Sequence, residues 1–124
     1  MKEMGYDGRK QLKSFGYAWK GIRTCLGEQN FTTHLLAMCL VVAGGIFFSV
    51  SPMEWVALTL CCGMVIAAEL FNSALEHLTD LVSPEWNKLA GQAKDIAAGA
   101  VLVIATTAAI VGLIIFLPHI LGWR

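Results

Sequence analysis

The sequence predicts an all-α membrane protein in which an N-terminal interfacial amphipathic helix precedes three transmembrane helices. Composition is the first reason: 56% of the 124 residues are hydrophobic and 15% are charged, with a mean hydropathy of +0.63. An average soluble domain carries roughly 25% charge. The second reason is that residues 32–50 and 96–117 contain no formal charge, and each is long enough to cross about 30 Å of hydrocarbon. A middle apolar run introduced by Ser51-Pro52 supplies the third.

The length suits one domain over 1–124, and a formal net charge of zero gives no reason to expect nucleic acid as a partner. No signal peptide is expected, because the segment before residue 32 is rich in basic residues and has no continuous apolar run.

Over about 9–27 the chain reads as a helix lying on the membrane. Leu12, Phe15, Trp19, Ile22 and Leu26 share one face, Lys10, Lys13, Tyr17 and Lys20 the other, and Arg23 sits at the border. Most of these bases read singly as anchors to anionic lipid. The sharper reading is that one or two of them contact a phosphate carried by a substrate, with Trp19 and Arg23 as candidate lipid-substrate contacts.

The first span is expected at 32–50. Proline at the start of a helix suits its first turn, so the second span is placed at about 53–72, with the helix continuing two or three turns into water until Ser83-Pro84 stops it. A loop over 81–95 then leads to the third span at 96–117. Lys2, Arg9, Lys10, Lys13, Lys20, Arg23, Lys88 and Lys94 all fall on one side of this arrangement, and only Arg124 on the other. The bias places the N-terminus, the 81–95 loop and any site there in the cytoplasm, with the 49–54 turn outside.

Cys25, Cys39, Cys61 and Cys62 form no CxxC pair and no zinc spacing, so they read as small apolar residues. His34, His77 and His119 are single histidines, for which an interfacial hydrogen-bonding role is the default.

The second helix carries the chemistry. Glu69, Asn72, Glu76 and Asp80 fall within an arc of about 80° at 100° per residue. A solvated acidic face explains Asp80 well. It does not explain Glu69, which ends an uncharged run and sits where an ionised carboxylate costs about 2 to 3 kcal/mol.

Glu69 and Glu76 are about 10 Å apart along the axis, too far to share one ion, so they are expected to act at different points of one reaction. Glu69 is placed to accept a proton from a hydroxyl at the lipid surface, and Glu76 to hold Mg²⁺ and face phosphate oxygens. Glu28, at the start of the first span, is a candidate second metal ligand. Lys94 is a candidate phosphate contact beside Asp95.

No GxxxxGK[ST] or GxGxxG is present. The competing reading is a non-enzymatic oligomeric cation-binding protein or channel, which requires acids along a continuous pore. Here the first and third spans are uncharged and the acids gather at one end.

The run Glu69-Leu-Phe-Asn-Ser-Ala-Leu-Glu76, followed by Asp80 and by Ser83-Pro-Glu-Trp-Asn-Lys through Asp95-Ile-Ala-Ala-Gly-Ala, resembles the prokaryotic diacylglycerol kinase and undecaprenol kinase family. Gly16-Tyr-Ala-Trp-Lys-Gly-Ile-Arg23 and Glu28-Gln-Asn-Phe-Thr-Thr-His34 extend the similarity over nearly the whole chain. The resemblance implies a small homotrimeric lipid kinase of the bacterial inner membrane, using ATP and Mg²⁺ at sites shared between subunits.

It makes Glu69 the general base, and Glu28 and Glu76 the magnesium ligands. Lys10, Tyr17, Glu85, Trp86, Asn87, Lys94 and Asp95 match positions that line the nucleotide, with Asn72 and Asp80 as supporting polar residues. Position 87 is often histidine in the family and position 10 can be arginine; Asn87 and Lys10 keep the polarity or charge. The ExNxxxH segment, Ser83-Pro84 and the Asp95-Ile-Ala-Ala-Gly-Ala run look more like the undecaprenol-using branch than the diacylglycerol-using one. Small residues (Gly44, Gly45, Ala98, Ala105, Ala109 and Gly112) would permit the close helix packing an oligomer needs.

Overall fold

The structure, a computed structural model, describes residues 5–123; Lys2 and Arg124, which entered the charge argument, lie outside the described residues. Four helices follow one another, and three of them are long and apolar enough to cross a membrane.

Helix α1 spans Gly8–Cys25 and starts where the Asp7 carboxylate accepts a 3.0 Å hydrogen bond from the Arg9 backbone N–H. Leu12, Phe15 and Trp19 stay exposed along it, and Cys25 is its one buried residue. An interfacial helix keeps its apolar face free for lipid in this way.

Helix α2 covers Gln29–Phe47 rather than 32–50. Its first turn is polar, and it stops because Ser49 adopts a left-handed backbone (φ 51°) that turns the chain. Val50 then folds back, donating its N–H to the Gly45 carbonyl at 3.1 Å.

Helix α3, Pro52–Val82, opens with a reciprocal cap: Ser51 Oγ accepts from the Glu54 N–H, and Glu54 Oε1 accepts from the Ser51 N–H. Its 31 residues make a rod of about 47 Å, well beyond the roughly 30 Å of hydrocarbon. The far end, carrying Glu76 and Asp80, therefore projects past the apolar layer.

Helix α4 runs over Lys88–Ile120, so the stretch 88–95, expected as loop, is helical. The reason is local. Asn87 Oδ1 accepts from the Leu89 and Ala90 N–H groups at 2.9 and 3.1 Å, and a helix nucleated there can run ahead of the membrane without apolar residues.

Helix α3 is the hub, packed against α1, α2 and α4. At the end opposite the acids, Val50, Leu58 and Ile115 form a buried cluster with Trp55 and Phe116 against it. Gly45 lets Trp55 approach so closely that a Cβ there would lie 2.5 Å from the indole ring; one on Gly44 would meet the Phe116 ring at 3.2 Å. This glycine pair is thus used inside the chain, while Ala105, Ala109 and Gly112 line a cavity. The α3 and α4 hairpin has a charged or polar contact at each end, Lys94 with Asp80 and His119 Nε2 at 3.5 Å from Glu54 Oε1.

Candidate active site

Exposure rises steadily along the polar stripe of α3. Glu69 and Asn72 are buried, at 4% and 7% relative exposure, Glu76 is half-buried and Asp80 is exposed. Its two ends meet other helices, Glu69 on α2 and Asp80 on α4, while Asn72 and Glu76 between them meet each other.

Glu69 faces α2, where His34 Nε2 lies 3.1 Å from its Oε1. Asn72 Nδ2 donates to Glu76 Oε1 at 3.0 Å, one turn along the same helix. Glu28, at the cap of α2, accepts a 2.7 Å hydrogen bond from Ser73 Oγ. Asp80 pairs with Lys94 across the turn to α4.

Glu28 thus meets α3 at Ser73, the residue next to Asn72, while Asn72 and Glu76 pair with each other. The Asn72 Oδ1 atom is buried without a hydrogen-bond partner. A buried amide oxygen left unpaired costs about 1 to 3 kcal/mol, and one bonded through its nitrogen to a carboxylate points that oxygen elsewhere. Carboxylates such as Glu28 and Glu76 are hard oxygen donors of the kind that suits Mg²⁺. Among the described residues no three His, Cys, Asp or Glu side chains converge as a metal group.

The remaining candidates are more open. Glu85, Trp86, Asn87 and Asp95 are exposed around the α3 to α4 turn, with Trp86 at 90%. Two of them have other local tasks than expected: Asn87 caps α4, and Lys94 is paired with Asp80 instead of standing free for a phosphate. Along α1, Lys10, Tyr17, Trp19 and Arg23 are exposed, and among the described residues no hydrogen bond or ion pair ties their side chains to the α3 stripe. The Lys20 ammonium sits 5.8 Å from the Tyr17 ring centroid. The part of α1 that shares a space with α3 is its C-terminal half, where Ala18, Gly21, Ile22 and Cys25 face Leu70, Ser73 and His77.

A cavity of about 290 Å³ begins at His34 and runs between α2, α3 and α4 past Val65, Ala105 and Gly112. Its walls are apolar apart from the His34 ring, and Glu69 stands behind that ring as its partner, not in the wall itself.

Sequence reasoning missed His34 and Ser73. A signal for His34 was present, since it and Glu69 both lie about four to five helical turns from the 48–51 connection. Antiparallel helices joined by a short turn bring such positions to the same depth. Ser73 carried no comparable signal, because a serine on a helix is unremarkable until its partner is known.

Residues 16–116 match the family described as prokaryotic diacylglycerol kinase. An undecaprenol kinase of Bacillus subtilis is 43% identical over 119 residues, covering 92% of this chain and 97% of its own. A diacylglycerol kinase of Synechocystis is 38% identical over 113 residues, 90% of this chain and 65% of its own. A diacylglycerol kinase of Escherichia coli is 32% identical over 109 residues, 87% of this chain and 89% of its own.

Proposed function

The chain belongs to the prokaryotic diacylglycerol kinase family, and from that membership we propose that it transfers the γ-phosphoryl group of ATP to a membrane lipid alcohol, with undecaprenol as the preferred acceptor over diacylglycerol. The observation that carries the reading is the graded stripe: a buried carboxylate, Glu69, whose partner His34 lines an apolar cavity, and a half-buried Glu76 beyond it toward the exposed end of the helix. The ExNxxxH segment and the similarity to an undecaprenol kinase support the choice of acceptor.

Glu69 orients the lipid hydroxyl and accepts its proton. As the alcohol oxygen forms its bond to the γ-phosphorus, the O–H bond breaks toward Glu69. The bond from the γ-phosphorus to the β,γ-bridging oxygen breaks, and its electron pair leaves with ADP. Glu28 and Glu76 would hold Mg²⁺, which when bound neutralises charge on the phosphates, with Asn72 supporting Glu76 through its amide N–H. Lys94 leaves Asp80 to contact the phosphates; Lys10, Tyr17, Glu85, Trp86, Asn87 and Asp95 line the nucleotide, and Trp19 and Arg23 the lipid headgroup.

The lysine and arginine bias supports a cytoplasmic site in the bacterial inner membrane, on the side where ATP is found. A homotrimer with shared sites is supported by how little one chain encloses. The residues assigned to the nucleotide stand exposed, and only 11% of the apolar windows of α2 and α4 is buried.

Purified protein in mixed micelles, given labelled ATP with undecaprenol or diacylglycerol, tests the proposal. Phosphorylated undecaprenol as the favoured product is expected. Label transfer favouring diacylglycerol overturns the acceptor, and no transfer to either alcohol overturns the activity.

A further inference from the structure

We propose that His34 is the positioning residue of Glu69, holding one carboxylate oxygen so that the other stays aimed at the acceptor hydroxyl. The inference rests on Glu69 being the base. His34 Nε2 lies 3.1 Å from Glu69 Oε1, a separation at which a ring N–H and a carboxylate oxygen hydrogen-bond. Among the described residues no second side chain is paired with Glu69, so its other oxygen is left to the substrate.

The pair is held from both sides. Phe31, three residues before His34, is 1% exposed, and Val65, one turn before Glu69, is 8% exposed, so each helix is packed one turn before the pair. Fixed helix backbones leave each side chain few rotamers in which to reach the other. The His34 side chain is 25% exposed against 4% for Glu69, so the ring closes the open side of the carboxylate and separates it from water.

Chemistry favours an imidazole in this place. A carboxylate buried at the membrane boundary needs a donor, or it carries the full desolvation cost. Lysine or arginine would supply that donor together with a permanent countercharge, which weakens a base. An imidazole supplies a directed N–H donor without requiring a permanent charge, and its Nδ1 is left for water or a headgroup.

Two substitutions separate positioning from bulk. His34→Leu keeps apolar volume and removes the donor. His34→Gln keeps an N–H that reaches the place of Nε2–H. We expect His34→Leu to lower kcat by about 10- to 100-fold with both KM values little changed, as for a catalytic group displaced by about 1 Å. His34→Gln should recover most of that loss, with thermal midpoints and gel-filtration profiles confirming that both variants fold.

Equal kcat in the Leu and Gln variants, wild-type kcat in His34→Leu, or a loss confined to KM would each overturn the inference. Glu69→Gln measured alongside distinguishes the two levels. Full turnover in Glu69→Gln removes the base reading itself, whereas an inactive Glu69→Gln beside a fully active His34→Leu removes only the positioning role.

Discussion

Ser73 Oγ donates a 2.7 Å hydrogen bond to Glu28 Oε1, joining the start of α2 to α3 across 45 positions of sequence. Ser73 is 3% exposed, so the bond forms where water competes little. It fixes one oxygen of Glu28. Glu28 is thereby placed beside the turn that carries Asn72 and Glu76.

Ser73→Ala should therefore loosen Glu28 without touching the reacting atoms. Losing one hydrogen bond to a charged group is worth about 1.5 kcal/mol, roughly a tenfold rise in the Mg²⁺ concentration that gives half-maximal activity. A magnesium titration at saturating ATP reads this directly. A curve superimposed on that of the wild type would remove Ser73 from the support of the metal site.

Glu69→Gln keeps the shape of the side chain and removes its capacity to accept a proton. Turnover should fall by about 10²- to 10⁴-fold, the usual range for a general base. Nucleotide affinity should be unchanged, because Glu76 and the α3 to α4 turn are separate from it. Single-turnover kinetics beside equilibrium ATP binding would separate the two effects, and a joint loss of both would point to misfolding instead of lost chemistry.

The helices were legible because three apolar stretches approach or reach the length a bilayer requires, and because Ser51-Pro52 and Ser83-Pro84 punctuate them. Where the reading missed, charge was taken for loop. Lys88, Gln92, Lys94 and Asp95 look like a connection, yet a capped helix outside the membrane has no need of apolar residues, and Asn87 supplies the cap. The acids of α3 were legible as a stripe, since they share one helix and one period. Their partners were not, because His34, Ser73 and Lys94 are fixed by the register between helices.

Gly45→Ala tests the packing of α2 on α3 away from the acids. The added Cβ would sit 2.5 Å from the Trp55 ring, which is wedged beside the Val50, Leu58 and Ile115 cluster. Overpacking of this kind costs about 1 to 3 kcal/mol, so the thermal midpoint in detergent should fall. Trp55→Leu in the same chain should restore part of it. A Gly45→Ala protein as stable as the wild type would mean that the ring has an alternative place to go.

Lys94 and Asp80 make the last prediction, because their contact admits two meanings. As a structural pin it ties α3 to α4; as a resting contact it holds a lysine that serves a phosphate when nucleotide binds. The Lys94 side chain is 40% exposed and that of Asp80 is 64% exposed. An ion pair this open is worth about 0 to 1 kcal/mol, too little to hold a 33-residue helix in place. Asp80→Asn should accordingly leave kcat and the thermal midpoint almost unchanged. Lys94→Met should lower kcat/KM for ATP by about 100-fold, because a lost charge-assisted contact to phosphate is worth up to about 3 kcal/mol. If the two substitutions instead caused equal losses, and the exchanged pair Asp80→Lys with Lys94→Asp restored activity, the contact would be structural and the phosphate role would pass to another cation.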